Sequence, residues 1–365
     1  MLYYTTGGRD KTSFLGPRAE RLSFYGKIDY NRRYKGRMSR LAARKGGSAM
    51  YKILMSAGAG VDEYDITQLE RGCWIDVVAP TAKEIATLVK ATGIQRDFLT
   101  AALDSEEKSR TEVDDNQLLV VIDIPFLRSN KDYETMPLGI ILTPDYMMTV
   151  CLETNAVTAA FNARTARTFS TFKKTRFLFQ ILYKSATLYL KYIRNIIRRT
   201  DDLEHHLRRA MENSKLFSML DLQKSLTYFT TSLKSNYMVT EKLLRLRSVS
   251  SQPNPVKMYE EDEDLLEDVI VEYKQAIEMV EMYSRIVNST MEVFASIISN
   301  NLNLVMRFLA SVTIILAIPT LFFSLWGMNV PVPFAENPFG FWLVIAISVL
   351  FSAAAAAALW KHHMF

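Results

Sequence analysis

The sequence predicts an α/β domain, followed by a long helical stalk and two membrane-spanning helices. Short apolar runs alternate with helix-like stretches over residues 50–170, and from about residue 171 the apolar residues recur every three or four positions. Two uncharged runs, 308–335 and 337–360, are each longer than the roughly 20 residues that cross a bilayer as a helix. These observations exclude a purely soluble protein.

Charge is distributed unevenly along the 365 residues, although the net charge is only +5. Residues 1–49 contain 12 Lys and Arg against 3 Asp and Glu, so this segment carries +9 and the rest of the chain −4. We expect a flexible basic extension here. A lipid- or RNA-binding tail and an organellar transit peptide are the alternatives. No nucleic-acid partner is expected, and two cysteines are too few for a disulfide framework.

The segment 50–170 has the local signals of a compact α/β domain. Four apolar runs predict strands: 74–77, 118–122, 139–142 and 147–150. The turn-like Pro144-Asp145 pair predicts a hairpin between the last two. Thr81 and Glu84 have the spacing of a capping box, which predicts that a helix over 81–92 begins here. The glycine-rich stretch 56–60 lacks the lysine of a phosphate-binding loop, and we expect a flexible lead-in there.

The chain between the α/β domain and the first membrane span is predicted to be helical. Residues 171–255 read as a helical region that breaks at Pro253 and Pro255. A single stalk helix is predicted over 256–326, because no Gly or Pro occurs from Val256 until Pro319. About 60 residues at 1.5 Å each give a rod of about 90 Å, too long for an ordinary core helix.

Two sequence patterns characterise the predicted stalk helix. Its apolar positions recur through Phe294, Ile298 and Leu302. The acidic run 260–264 is expected to be a solvated helix face.

Flanking charges predict the topology of the two spans, which lie at about 306–326 and 339–360. Arg307 and Lys361 flank the spans on one side, whereas the connecting loop 327–338 has no Lys or Arg. The positive-inside rule therefore places the large domain and the tail 361–365 in the cytoplasm. We expect the cell (inner or plasma) membrane, with the mitochondrial inner membrane as the alternative.

The first span carries small and polar residues at helical spacing on one stripe. The stripe consists of Asn303, Met306, Ala310, Thr313, Ala317, Thr320 and Ser324. Such a stripe has two interpretations: close packing between helices, or the wall of a pore. Two spans cannot enclose a pore, so the second interpretation requires a cyclic oligomer.

The end of this span carries a recognisable motif. Pro319-Thr320-Leu321 is followed by Trp326-Gly327-Met328-Asn329, a short loop with Glu336, a second span and a basic tail. This arrangement resembles the CorA family of magnesium channels, from roughly Val61 to the C-terminus. Trp326 stands where the family more usually has Tyr. The segment from Asp104 to Arg110 also looks like part of the family's cytoplasmic domain.

The resemblance implies a homopentamer in a lipid bilayer, in which the first span lines the pore. Gly327, Met328 and Asn329 would form the selectivity filter, and Glu336 would raise the cation concentration at the outer mouth. Asn303 would form a polar constriction at the cytoplasmic end, where Met306 and Leu309 would form an apolar gate. Because Mg²⁺ dehydrates reluctantly, a ring of amide oxygens could bind its water shell without removing it.

The resemblance also implies a regulatory Mg²⁺ site between subunits. Asp268 matches the family's magnesium-sensing aspartate, with Glu272 nearby. Where the family has its partner acidic pair after a leucine, this chain has Leu99-Thr100-Ala101. The partner carboxylates must then come from Asp104, Glu106 and Glu107. Mg²⁺ is thus expected both as cargo and as regulator.

Two other functions fit parts of the sequence. A CorA-like transporter of Zn²⁺, Co²⁺ or Ni²⁺ has the same architecture, although no Cys or His lies on the stripe. A membrane-anchored oligomeric scaffold without transport is the alternative from another class. No phosphate-binding loop, HExxH or GxSxG motif occurs, and we expect no enzyme activity.

Overall fold

The computed structural model describes residues 51–57, 60–128, 132–209, 213–246, 258–329 and 339–362. The predicted extension 1–49, the helix break at Pro253 and Pro255, and Glu336 lie outside the described residues. The strands are β1 (Tyr51–Ala57), β2 (Gly60–Tyr64), β3 (Trp74–Val78), β4 (Arg110–Asp114), β5 (Gln117–Leu127), β6 (Tyr133–Leu142) and β7 (Met147–Cys151). The helices are α1 (Ala82–Thr92), α2 (Arg96–Ala101), α3 (Lys174–Arg209), α4 (Asn213–Leu246), α5 (Glu260–Trp326) and α6 (Gly340–Lys361).

The seven strands form one sheet in the order β2-β1-β3-β7-β6-β5-β4. Neighbours are antiparallel except β3 and β7, which are parallel. The predicted β6–β7 hairpin is confirmed. The prediction of a flexible lead-in over 56–60 is wrong where the structure describes it, because Ser56 pairs with Val61 and Ala57 with Gly60 in the β1–β2 ladder.

Both faces of the sheet are covered by helices. Along β5, the side chains of Leu118 and Val120 contact one apolar cluster, and those of Leu119 and Val121 contact the other. The first cluster lies under α3, α4 and α5, and the second under α1 and α2. A strand buried on both faces reads as a continuous apolar run, which is why the sequence predicted it.

Local chemistry fixes the start of α1 and the position of α2. The Thr81 hydroxyl accepts from the Glu84 N–H at 3.3 Å, and the Glu84 carboxylate accepts from the Thr81 N–H at 2.8 Å, which confirms the capping box. At the end of α2, Ala102 lies so close to Gly139 of β6 that a Cβ at Gly139 would be 2.8 Å from the Ala102 Cβ. Glycine at 139 therefore lets the chain after α2 pack against the sheet.

Helices α3, α4 and α5 pack together beside the sheet. The apolar face of α5 is buried from Leu266 to Phe294. Beyond Phe294, all residues from 295 to 310 are exposed, including Ile298 and Leu302. The predicted long helix is confirmed as one 67-residue element, but its turns from 295 to 310 pack on nothing in the described part of this chain.

The acidic start of α5 differs from the prediction at one residue. Glu260, Glu261 and Asp264 are exposed, as expected of a solvated face. Asp262 is buried, lies 3.5 Å from Arg176 of α3, and accepts a hydrogen bond from the Tyr259 N–H at 3.2 Å. It therefore caps α5, and the negative charges of the first turn stabilise the helix N-terminus.

Among the residues that the structure describes, two helices are long and apolar enough to cross a membrane. They are α5 and α6, and only 6% and 11% of their most apolar windows are buried. The two pack side by side through the buried Ser311 of α5 and Ser348 and Val344 of α6, with Phe322 and Phe351 5.4 Å apart.

Candidate functional site

The predicted stripe lies on the face of α5 that α6 leaves uncovered. The eight predicted pore residues are all exposed: Asn303, Met306, Leu309, Ala310, Thr313, Ala317, Thr320 and Ser324. The contact with α6 is instead made by the other side of α5, where Ser311 is buried and Val312 and Ile315 are half-buried. Packing of α5 on α6 within one chain therefore does not explain the small residues of the stripe.

The threonines of the stripe present hydrogen-bond acceptors. The Thr313 hydroxyl donates to the Leu309 carbonyl at 2.8 Å, and the Thr320 hydroxyl donates to the Leu316 carbonyl at 3.0 Å. Because each hydroxyl proton is used within the helix, its oxygen lone pairs remain for a partner that donates. The water molecules around a cation point their protons outward and are such donors.

A shallow groove follows the same face to the end of the helix. It is lined by Thr313, Leu316, Ala317, Thr320, Leu321, Ser324, Leu325 and Met328. Its polar groups are hydroxyls and backbone, and its walls are aliphatic. This chemistry suits a hydrated ion that is bound weakly.

Helix α5 ends at the three-residue motif. The Gly327 N–H donates to the Phe323 carbonyl at 2.9 Å, and Met328 and Asn329 follow as exposed residues. A Cβ at Gly327 would be 3.2 Å from the Phe323 oxygen, so glycine allows the chain to turn tightly off the helix. The last carbonyls of a helix carry its negative dipole end, which favours a cation close to Asn329.

The predicted sensor carboxylates lie on two separate parts of the chain. Asp268 is exposed and Glu272 half-buried on α5, whereas Asp104 and Glu106 are exposed in the loop after α2. Within the described residues of one chain, no group of three or more His, Cys, Asp or Glu is positioned to hold a metal ion. A site built from these residues would therefore need a second subunit.

The three loop carboxylates differ in their partners. Glu107 is half-buried and pairs with Arg110, and it also accepts from the Lys108 N–H at 3.2 Å. One Asp104 oxygen accepts from the Glu106 N–H at 3.0 Å. The exposed Asp104 and Glu106 are thus better placed than Glu107 to meet an ion.

Comparison with known proteins identifies the family. The model of the family described as CorA-like Mg²⁺ transporter protein matches residues 70–361. The chain belongs to the CorA-like Mg²⁺ transporter family. The cobalt/magnesium transport protein CorA of Methanocaldococcus jannaschii is 30% identical over 287 residues, which cover 76% of this chain and 86% of that protein.

Solved structures agree with this CorA assignment. The complete CorA magnesium transporter of M. jannaschii matches with a TM-score of 0.71 and 26% identity, over 86% of this chain and 98% of that one. The cytoplasmic domain of ZntB from Vibrio parahaemolyticus matches with a TM-score of 0.53 and 12% identity, over 70% of this chain and 98% of that domain. The ZntB likeness shows the fold only. The family is one of membrane transporters and not of enzymes.

A buried polar cluster in this CorA-family chain was missed by sequence reasoning. Asn236 of α4 accepts from the Asp123 N–H at 2.8 Å and donates to the Asp123 carbonyl at 2.6 Å. Ser232 donates to the Asp123 carboxylate at 2.8 Å, and the Tyr189 hydroxyl donates to the Asp123 carbonyl at 3.0 Å. Burial raises the pKa of Asp123, and the hydrogen bond from Ser232, with the nearby side chain of Ser109, opposes this.

A sequence signal for the cluster exists. Ser225, Ser232, Asn236 and Thr240 interrupt an otherwise apolar and buried face of α4 at helical spacing. Buried polar side chains need partners, so this interruption predicts a polar contact. It does not say which strand supplies the partner.

Proposed function

We propose that this protein conducts hydrated Mg²⁺ across the membrane as a homopentamer, down the electrochemical gradient. Cytoplasmic Mg²⁺ bound between subunits closes the channel. One divalent ion that falls through about 100 mV releases about 4.6 kcal/mol, so conduction needs no nucleotide.

The observation that carries the proposal is the position of the stripe. Its small and polar residues lie on the α5 face turned away from α6, and the groove on that face extends to Met328, the residue before Asn329. In a ring of five subunits this face turns toward the axis and α6 lies outside it. The subunit number rests on the resemblance to the family.

The stripe supports passage of an ion with its water shell. The lone pairs of Thr313 and Thr320 accept from water, and hydroxyls do not replace the shell of Mg²⁺ readily. Gly327, Met328 and Asn329 act as the selectivity filter, with Glu336 at the outer mouth. Asn303 forms the polar constriction, and Met306 and Leu309 form the gate.

The regulatory site is proposed between the exposed Asp268 of one subunit and the exposed Asp104 and Glu106 of the next. Glu272 and Glu107 flank it. Carboxylates brought together across an interface repel one another unless a cation lies between them. Bound Mg²⁺ therefore stabilises the closed ring, and its loss shifts the population toward open states.

The proposed location is the cell membrane, with both termini in the cytoplasm. Arg307 and Lys361 lie at the cytoplasmic ends of the two spans, and the outer connection lacks Lys and Arg. Co²⁺ is proposed as a second cargo, because the relative from M. jannaschii is named for cobalt as well as magnesium.

Ion flux into liposomes tests the function. Purified protein in vesicles with a Mg²⁺-sensitive dye should admit Mg²⁺, and Asn329→Ala should lower the initial rate by about tenfold or more. The rate should fall because the substitution removes the side-chain amide that is proposed to bind the hydrated ion in the filter. The matched control is Asn301→Ala, an exposed asparagine on α5 that lies outside the stripe.

Each outcome separates one function from the others. Mg²⁺ flux that depends on Asn329 and not on Asn301 supports the proposal. Flux of Zn²⁺ or Ni²⁺ without Mg²⁺ flux would assign the softer metals as cargo. If no divalent cation enters the vesicles and Asn329→Ala changes nothing, the proposal is wrong and the membrane-anchored scaffold is the remaining function.

A further inference from the structure

We propose that Asn236 is a positioning residue that links the loop of Asp104 and Glu106 to the stalk helix α5, and that Ser109 is its contact on the loop. Together they set the Mg²⁺ concentration at which the channel closes. This inference rests on the regulatory site proposed above.

Asn236 occupies the place that a neighbouring strand would take beside β5. The ladder between β4 and β5 ends with the pair Arg110 and Val121, two residues short of Asp123. The Asp123 N–H and carbonyl are both bound by the Asn236 amide, at 2.8 and 2.6 Å. This pairing fixes the orientation of the amide, because exchanging its oxygen and nitrogen would set donor against donor.

The same amide holds the sensor loop. The Ser109 hydroxyl donates to Asn236 Oδ1 at 3.0 Å, although the two residues are 127 positions apart. Asp104 and Glu106 lie within five residues before Ser109, in a turn in which the Glu107 N–H donates to the Asp104 carbonyl. Ser109 thus ties the base of the loop to a fully buried residue of α4.

The other side of Asn236 faces α5. Tyr273 of α5 is fully buried, and its pKa is raised by burial and lowered by the side chains of Ser185 and Asn236. The Tyr273 hydroxyl makes no hydrogen bond of good geometry in the part of the chain described. The Asn236 side chain lies near enough to Tyr273 to oppose the rise in its pKa, and α4 and α5 pack closely against each other along their buried faces.

Asp268 lies close to this contact on the same helix. It is five residues before Tyr273, about 7.5 Å along α5, and it is exposed where Tyr273 is buried. Within one subunit, the hydrogen bond from Ser109 to Asn236 and the packing of α4 on α5 around the buried Tyr273 thus link the loop carboxylates to the helix that carries Asp268. Both proposed halves of the sensor are therefore held to one buried amide.

Ser109→Ala tests the link with the least disturbance, because it leaves the Asn236 contacts with Asp123 in place. Inhibition by Mg²⁺ applied to the domain side should then need a higher concentration, by roughly 2- to 30-fold, the range that coupling mutations produce. The maximal flux, the ratio of Mg²⁺ to Co²⁺ flux and the melting temperature should stay as in the native protein. Ser109→Thr should restore the native half-inhibiting concentration.

Two further variants complete the design. Ser218→Ala is the control, because the Ser218 hydroxyl donates only within α4, to the Ser214 carbonyl at 3.1 Å. Tyr273→Phe removes the hydroxyl on the α5 side without removing the ring, and should shift inhibition in the same direction as Ser109→Ala. A purely structural role would instead lower the melting temperature and the flux together.

The result that overturns the inference differs from the result that overturns the sensor. If Asp268→Ala abolishes inhibition while Ser109→Ala and Tyr273→Phe keep the native half-inhibiting concentration, the positioning role is wrong and the sensor stands. If Asp268→Ala leaves inhibition unchanged, the proposed sensor and the positioning role are both wrong.

Discussion

At the scale of single residues, Asp76 is an acidic group inside the sheet, outside the residues that we propose for conduction and sensing. It lies in β3 opposite Lys52 of β1 and Thr149 of β7. Thr149 donates to its carboxylate at 2.7 Å and accepts from the Trp74 indole at 2.9 Å. Burial raises the pKa of Asp76 to about 6, while the Thr149 hydrogen bond and the Lys52 charge act in the opposite direction.

This raised pKa predicts that Asp76→Asn stabilises the protein at neutral pH. The unfolded chain loses the proton near 3.8 and the folded chain near 6, so the folded state binds more protons between these values and its stability falls as pH rises through that window. At 1.36 kcal/mol per pKa unit, the loss is about 3 kcal/mol above pH 6. The melting temperature of the variant should be several degrees above that of the native protein at pH 7.5. Near pH 3.5 the two melting temperatures should be equal.

Thermal melts of the full chain in detergent, recorded from pH 3.5 to 8, measure this effect. Asp62→Asn, which changes an exposed carboxylate of β2, is the control and should shift the melting temperature little at any pH. Equal melting of Asp76→Asn and the native protein across the range would contradict the prediction.

What the sequence revealed about single residues depended on how far apart the partners are. Thr81 and Glu84 are three residues apart, so their spacing was enough to predict the capping box. Asn236 and Asp123 are 113 residues apart, and nothing local links them. The motif at Gly327 to Asn329 was recognised through its place after a span, but the filter proposed for it needs several subunits and cannot be seen in a single chain.

At the scale of elements, α5 passes through two environments without a break. As far as Phe294 its apolar face packs on α3 and α4, and from residue 295 to 310 every residue is exposed. Most helical stability in proteins comes from the packing of an apolar face, so we expect the exposed stretch to pack on a partner outside this single chain. The periodicity predicted an apolar face along the whole helix, including Ile298 and Leu302. It could not distinguish a face that is buried within one chain from a face that is exposed in one chain and free to contact another copy.

Two leucines of α5 should therefore behave differently when shortened to alanine. Leu266 is fully buried, and Leu266→Ala should cost about 2–5 kcal/mol and lower the melting temperature of the subunit. Leu302 is 62% exposed in the single chain, and Leu302→Ala should leave the subunit fold intact but weaken the oligomer. Light scattering in detergent at decreasing protein concentration measures the second effect.

The comparison of the two variants shows whether the face of α5 at Leu302 contacts another copy of the chain. Dissociation of Leu302→Ala at a concentration where the native protein and Leu266→Ala remain assembled supports contact between copies at this level of the stalk. An oligomer unchanged by Leu302→Ala would mean that this face is solvated or lines the axis.

At the scale of the whole molecule, the proposed topology puts the proposed filter and the proposed sensor on opposite sides of the membrane. Asn329 follows the C-terminal end of α5, and Asp268 lies near the other end of the same 67-residue helix, about 60 residues and thus about 90 Å away. Hydropathy and flanking charge predicted this separation, since they depend on composition along the chain and not on long-range pairing. Salt screens the electrostatic field of Asp268 over a distance much shorter than about 90 Å. Regulation of the filter by this residue therefore requires a conformational change of the helix.

This separation predicts inhibition from one side only. In planar bilayers with the protein in one orientation, Mg²⁺ on the domain side should reduce the current carried toward that side, and Mg²⁺ on the loop side should not inhibit. Asp268→Ala should raise the half-inhibiting concentration by about tenfold or more, within the range of allosteric coupling energies. Glu278→Ala, which removes another exposed acid from α5, should leave it unchanged. Equal inhibition from both sides would mean that Mg²⁺ blocks the pore directly, because only a sensor on the stalk distinguishes the two compartments.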